Sequence, residues 1–396
     1  MYGANAERST PKTERRITDS VIRSLDVRRW AFDVFWLNSE LVRFMRETIR
    51  AYGPQPFAWF MEQALYHPEH GYYSSGRASI GRRGDYFTNV SVGPIFGQLL
   101  AAQFAEIWQR LGQIGNFAIV EQGAHHGDFA RDVLARVRER FPKFFAALRY
   151  RIVEPFPVLQ DRQSATLADF RDKVQWTRSL TPFTGVHFSN ELLDALPVNL
   201  PGKRVGLAND EFVFIDVPDD PATKANQWAL DWIDVVAANL RRGFVIMIDY
   251  GHARSRFHHS LQVRAQHRHL DSPFEQIGRA DISMHVNWTD LAERAEADGL
   301  YIAGFTDQHR FLTGILSTYP ELLPSDSSDL TALSSQVSRA GEREIARELQ
   351  TLLHPEMLGR AFQVVALSRD MGGSQQLCGF KFARDPRAAL ELTQHC

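Results

Sequence analysis

One stretch limits the possible folds of this chain more than any other. Phe117-Ala118-Ile119-Val120-Glu121 is a short apolar run ending on an acid, and Gln122-Gly123-Ala124-His125-His126-Gly127-Asp128 has the composition of a turn. Phe129, Val133, Leu134 and Val137 then recur at helical spacing. A buried strand, a glycine turn and an amphipathic helix in that order open a βαβ unit.

The pattern repeats downstream. Tyr150–Val153 reads as a second strand ending in Glu154, and Val174–Thr177 as a third. Gly185–Ser189 is a fourth, ending in Asn190-Glu191, and Phe244–Ile248 a fifth, ending in Asp249-Tyr250-Gly251. Ala361–Leu367 is a late strand. Strands alternating with helices predict a doubly wound α/β fold, a mostly parallel sheet covered on both faces. Residues 1–37 form an extension, and 38–112 a helical cap carried by Leu41, Phe44, Met45 and Ile49, by Ala58, Met61 and Leu65, and by a helix from Gly93 to Leu111. The main domain is expected over 113–370. It carries a β-hairpin insertion at about 198–216, around Pro201-Gly202 and Asn209-Asp210, and a helical insertion at about 320–355. The tail, 371–396, has no legible pattern.

Composition excludes several classes. The 396 residues are 44% apolar and 23% charged with a net charge of −2, so no broad positive field draws the molecule to nucleic acid or anionic lipid. The basic N-terminal stretch, Arg15, Arg16, Arg23, Arg28 and Arg29, is interrupted by acids and reads as a solvated surface. Two cysteines, Cys378 and Cys396, make neither a disulfide framework nor a zinc site. No apolar run reaches the roughly 18 residues of a membrane span, and the first 35 residues lack a signal-peptide core. The expectation is a cytoplasmic protein, with an organelle matrix as the alternative. The histidines around Asp249 and beyond show no metal-ligand spacing, and no serine sits in a G-x-S-x-G elbow, so neither a metal site nor a hydrolase nucleophile is expected.

A strand–turn–helix presents free backbone N–H groups at the helix start, and small residues let a ligand approach them. Gly123 and Gly127 are its only glycines, short of the three-glycine dinucleotide fingerprint, and no Lys-Ser or Lys-Thr follows to make a phosphate loop. Glu154, at the end of the next strand, is placed to accept hydrogen bonds from two ribose hydroxyls, which suits an adenosyl ligand. From these residues alone, a tight strand–helix turn with a surface glutamate stays open as the alternative.

Several blocks taken together resemble the MidA-type methyltransferases, a family that includes the mitochondrial complex I assembly-factor protein arginine methyltransferase. They begin with Met61-Glu62-Gln63-Ala64-Leu65-Tyr66-His67-Pro68-Glu69-His70-Gly71-Tyr72-Tyr73 and continue with Gly84-Asp85-Tyr86-Phe87-Thr88, Phe96-Gly97 and Glu121-x-Gly123. Asn190-Glu191-Leu192-Leu193-Asp194-Ala195-Leu196-Pro197, Ile248-Asp249-Tyr250-Gly251 and Asp281-Ile282-Ser283-Met284-His285-Val286-Asn287 complete the series, from about Leu41 to Leu367. The family turn reads E-x-G-P-G-x-G; here His125 replaces a glycine, which implies a reshaped pocket, a ring stacked on the ligand, or weakened binding. The resemblance implies a Rossmann-like seven-stranded sheet, S-adenosylmethionine as methyl donor with S-adenosylhomocysteine as product, and a protein arginine as acceptor.

Methyl transfer from a sulfonium is an in-line displacement that needs alignment, and a guanidinium acceptor must also lose a proton. Asp85, Glu191 and Asp194 are the candidate catalytic carboxylates; acids satisfying a helix N-terminus are the alternative for the last two. Gly84, Asp85, Glu121, Gly123, His125, Gly127, Glu154 and Asn190 are the expected cofactor contacts. A protein substrate is the expected partner, without nucleic acid or membrane, and a homodimer is left open. The rival readings are a small-molecule methyltransferase and a non-catalytic assembly factor on the same fold.

Overall fold

The computed structural model describes residues 40–78, 88–218, 220, 225–322, 335–372 and 376–393. The extension expected over 1–37 lies outside them, as do residues 323–334 of the helical insertion. The chain opens with α1 (residues 40–52), β1 (Gln55–Pro56) and α2 (Phe57–Tyr66), then α3 (Asn89–Val92) and α4 (Ile95–Arg110). β2 (Phe117–Gln122), α5 (Asp128–Arg140), α6 (Pro142–Ala147), β3 (Leu148–Val153), α7 (Pro157–Thr166), β4 (Val174–Thr177) and β5 (Phe183–Asn190) build the first half of a sheet. The hairpin β6 (Lys203–Ala208) and β7 (Glu211–Asp216) precedes α8 (Gln227–Asn239) and β8 (Leu240–His252). Next come β9 (Leu261–Ala265), β10 (Arg268–His269), β11 (Asp281–Met284), β12 (Val286–Asn287), α9 (Trp288–Ala297), β13 (Tyr301–Asp307) and α10 (Gln308–Thr318). α11 (Ser335–Leu353), β14 (Phe362–Arg369) and α12 (Pro386–Ala389) finish the chain.

The central sheet runs β13-β14-β8-β5-β2-β3-β4, with β12 adding a short parallel pairing to β8. β2 is parallel to β3 and β5, and β8 is parallel to β5. β14 is antiparallel to both of its neighbours, β8 and β13. The expected doubly wound seven-stranded sheet is therefore present. Successive strands go one way from β2 to β4 and the other way from β5 to β13, so the order reverses between β2 and β5. Their C-terminal ends, Gln122 beside Ser189, flank the crevice where such sheets hold ligands.

Helices cover both faces. On one, Phe104 of α4 and Phe129 of α5 pack on Phe188 of β5, with Phe129 and Phe188 stacked at 4.3 Å. Truncating a fully buried phenylalanine such as Phe188 costs about 3–5 kcal/mol. On the other face, Ile233 and Val236 of α8 and Trp288 and Leu291 of α9 pack under Val245 and Met247. α4, counted with the cap from its place in the sequence, thus lies against the sheet: nearly every residue of it is buried, leaving no outer face. The cap core joins α1, α2, the hairpin and β9–β11 through Leu41, Met45, Phe60, Val205, Phe212 and Ile282.

The hairpin turns on Asn209 and Asp210, with φ of 52° and 66°, the left-handed pair that a two-residue turn requires. Several elements were not read from sequence: α8, the β9–β11 sheet, α9 and β13. The tail is also part of the body, since Leu377 and Phe380 join the α4–α5 face and Leu390 the opposite one.

Candidate active site

A cavity of about 690 Å³ opens at the C-terminal ends of β2, β3 and β5, within the range of small-molecule sites. Gly123, Glu154, Phe156, Glu62, Tyr66, Tyr73 and Trp228 line it. Glu121, His125, Asn190 and Glu191, all expected from sequence, also face it.

β2 delivers the glycine turn. Gly123 has φ 81°, and a β-carbon there would lie 3.4 Å from Leu192, so any side chain intrudes on the space between two strand ends. Glu121 lies at the floor, accepting a 2.7 Å hydrogen bond from the Tyr150 hydroxyl, and burial pushes its pKa up to about 8. Gly127 is placed differently from expectation. It is left-handed at φ 85° because it starts α5, and its β-position faces Leu167 and Gln163 rather than the cavity.

His125 carries the departure from the family turn, and its backbone is left-handed at φ 46°, an uncommon state for a residue with a β-carbon. Its ring stacks on His126 at 3.7 Å between centroids, and its Nε2 is buried without a hydrogen-bond partner among the described residues. Burial, with the neighbouring His126, lowers its pKa to about 3, so the imidazole is neutral. The ring forms part of the wall and leaves the cavity open. The His125 carbonyl accepts from Gln163 Nε2 at 3.0 Å, and the same nitrogen donates to Glu154 Oε2 at 3.0 Å. The Phe156 N–H donates to the other Glu154 oxygen at 3.1 Å. Both oxygens of the ribose-binding candidate are thus fixed before any ligand arrives, and burial raises its pKa.

The rest of the site is built where β5 stops. Glu191 is left-handed at φ 53°, a conformation that costs a side-chain-bearing residue roughly 1–2 kcal/mol. It is held there by its N–H donating to Ile248 O at 2.9 Å. Strained backbone of this kind clusters at functional sites. Glu191 Oε1 accepts from the Asn89 N–H at 3.1 Å and from Asn190 Nδ2 at 2.8 Å, while Asn89 Nδ2 donates to Asn190 Oδ1 at 2.9 Å. Burial, opposed by those donors and reinforced by Asp249 and Asp281, pushes Glu191 up to about 8.

Asp249 orders the turn from below. Its Oδ2 accepts the N–H groups of Leu192 at 3.0 Å and Leu193 at 2.7 Å, and its Oδ1 that of Tyr250 at 2.8 Å. Asp194, expected as a catalytic acid, does not line the cavity. It is buried against Asp249 and Asp281, and burial and those charges raise its pKa well above the carboxylate range. Asp194 thus sits beside Asp249 and Asp281, off the cavity lining. Gly84 and Asp85 lie outside the described residues.

Some wall residues were missed. Tyr73 donates to Asp281 at 2.7 Å and Tyr66 to Ala195 O at 3.0 Å. Both stand with Glu62 in the block that carries the resemblance, but one sequence does not say which side chains of that block turn inward. Asn89 follows the Gly84–Thr88 block and carries no signal of its own. Trp228 is 41% exposed at the cavity.

Comparison with known proteins bears on this geometry. A protein from Burkholderia thailandensis crystallised bound to S-adenosyl-homocysteine superposes with a TM-score of 0.78 at 27% identity, over 90% of this chain and 98% of that one. "Protein arginine methyltransferase NDUFAF7 homolog, mitochondrial" of Drosophila melanogaster is 24% identical, covering 83% of this chain and 85% of its own. The Homo sapiens "Protein arginine methyltransferase NDUFAF7, mitochondrial" is also 24% identical, over 88% and 86%. These relatives are named as mitochondrial, which overturns the expectation of a cytoplasmic protein. Among the described residues no helix is long and apolar enough to cross a membrane. Residues 99–216 and 208–306, together just over half of the chain, match the family described as "Putative S-adenosyl-L-methionine-dependent methyltransferase". Sheet order, cavity and sequence thus agree that the chain belongs to this family of S-adenosyl-L-methionine-dependent methyltransferases.

Proposed function

We propose that this methyltransferase acts on a protein arginine, with Glu191 as the base that receives a guanidinium proton. The supporting observation is a half-buried carboxylate with a raised pKa that lines the same cavity as Glu62, Tyr66, Tyr73 and Trp228. Acids and aromatic rings together favour a planar cation over an anion or a neutral ligand. The relatives' names agree in naming arginine.

The cofactor's seat is assigned to the glycine turn and the residues that follow β3. Gly123 lets the ligand approach the backbone, and Glu154, held by Gln163 and Phe156, accepts from the ribose hydroxyls. Glu121 lies beneath the turn, and His125, stacked on His126, completes the wall. S-adenosylmethionine, when bound, supplies an electrophilic methyl group on a sulfonium. Asn190 and Asn89 fix the Glu191 carboxylate, Tyr66 and Tyr73 exclude water around it, and Glu62 offers a second negative charge to the acceptor. Glu191 takes the proton at a carboxylate oxygen as the acceptor nitrogen gains its methyl group.

The test is incubation with tritiated S-adenosylmethionine and a protein extract, followed by hydrolysis and amino-acid identification. Label recovered as methylarginine supports the reading. Label confined to small molecules, or to another amino acid, overturns it.

A further inference from the structure

The insertion helix α11 follows the segment that carries the family match, yet it contacts Gly93 and Ile95 behind the cavity lining. Its Leu352 is buried in the sheet core, with Ile345 and Leu349 packed against it, so one face is anchored. Glu348 lies on that helix and is only 6% exposed.

The carboxylate of Glu348 meets the start of α4. A 16-residue helix leaves several N–H groups unpaired at its first turn, and its N-cap, Pro94, has no side chain able to accept one. Glu348 Oε2 accepts the Ile95 N–H at 3.1 Å, from 253 residues away in sequence, and its charge also suits the positive end of the helix. It fits because Gly93 has no side chain: a β-carbon at Gly93 would fall 2.2 Å from the Glu348 carboxylate. Gly93 and Pro94 themselves line the cavity.

Between this contact and Glu191 stands one short element. α3, Asn89–Val92, begins with a capping box between Thr88 and Ser91 and ends at Gly93. Its first residue gives a backbone N–H to Glu191 and a side-chain N–H to Asn190. The strut is therefore held at one end by the catalytic candidate and at the other by the insertion.

We infer that Glu348 is a positioning residue for methyl transfer: it fixes the α3–α4 junction from the insertion helix so that Asn89 orients the carboxylate of Glu191. The inference rests on the role assigned to Glu191 above. It gives α11 a task beyond covering the core, and it places a determinant of turnover in a part of the chain that touches neither cofactor nor acceptor.

Glu348→Ala and Glu348→Gln, made in the full chain, test it. Glutamine keeps an oxygen for the Ile95 N–H; alanine removes it. With tritiated S-adenosylmethionine and the protein extract used above, Glu348→Ala lowers kcat about tenfold, the scale of one lost buried hydrogen bond. S-adenosylhomocysteine affinity changes less than about threefold, because Gly123 and Glu154 are untouched. Amide exchange across residues 88–92 accelerates about tenfold in Glu348→Ala, and Glu348→Gln restores both rate and protection. Should Glu348→Ala not fold, Glu348→Asp, one methylene shorter, takes its place with the same expected losses. Wild-type kcat and wild-type exchange at 88–92 in a folded Ala or Asp variant overturn the inference. Full activity in Glu191→Gln instead overturns the assignment beneath it, so the two failures are told apart.

Discussion

Glutamine at position 191 keeps the size of the side chain and an oxygen to accept from Asn89 and Asn190, but it removes the carboxylate that receives a proton. General base catalysis of this kind is worth about 10²–10⁴ in rate, or roughly 3–5 kcal/mol. Glu191→Gln is therefore expected to lower kcat by at least about a hundredfold and to leave S-adenosylhomocysteine affinity within about twofold. The pH profile gives an independent measure. Burial places Glu191 at about 8, so in the free enzyme roughly one molecule in ten carries the base form at pH 7 and about nine in ten at pH 9. kcat/KM should climb about tenfold between those pH values, with the midpoint of kcat lying lower, because a bound cation favours the ionised carboxylate. Initial rates of tritium transfer from pH 6 to 9.5, with calorimetry of S-adenosylhomocysteine beside them, make the measurement. A flat kcat/KM across that range, or a Gln variant with half the wild-type rate, refutes the role of Glu191.

Gly123→Val puts a β-branched side chain at φ 81° and toward Leu192, so S-adenosylhomocysteine binding should vanish; calorimetry finding wild-type affinity would contradict the seat assigned to the cofactor. His125→Gly relieves the left-handed backbone, so affinity should hold within about threefold; a tenfold weaker Kd would mean the ring touches the cofactor. Stability should fall on the alkaline side of neutral pH. Glu121 and Glu191 at about 8 and Asp249 at about 7 all lie above their unfolded values, so the folded state holds extra protons and loses roughly a few kcal/mol as pH rises from 7 to 8.5. His125 and His187, both lowered to about 3, act in the opposite direction and remove stability as pH falls below about 6.5. A Tm that does not fall between pH 7 and 8.5 would show that these carboxylates are ionised in the fold.

What could be read from residues alone followed burial. Ile119 and Val120 sit in a strand covered on both faces, so an unbroken apolar run marked it. β13 escaped notice because its ends, Tyr301 and Asp307, are the more accessible residues and Gly304 interrupts its middle, where the Phe380 ring takes the space of a side chain. The site divides in the same way. Glu154 and Glu191 end strands, and a strand end is a local signal. The raised pKa of Asp194 comes from its burial, reinforced by Asp249 and Asp281, brought beside it by the fold from 55 and 87 residues away. Spacing along the chain holds no trace of such a meeting. Asn89 is a further instance: its two donors matter because β5 ends opposite them.

The antiparallel strand β14 has a consequence for how the molecule comes to be made. β8 and β13 flank it and do not pair with each other, so β14 is the wedge that joins them. A nascent chain that has emerged only as far as residue 360 holds two long apolar ribbons with open hydrogen-bonding rims, the kind of surface that recruits other chains. The last tenth of the polypeptide is what seals them, so a stop codon before Phe362 should yield aggregates instead of a smaller enzyme.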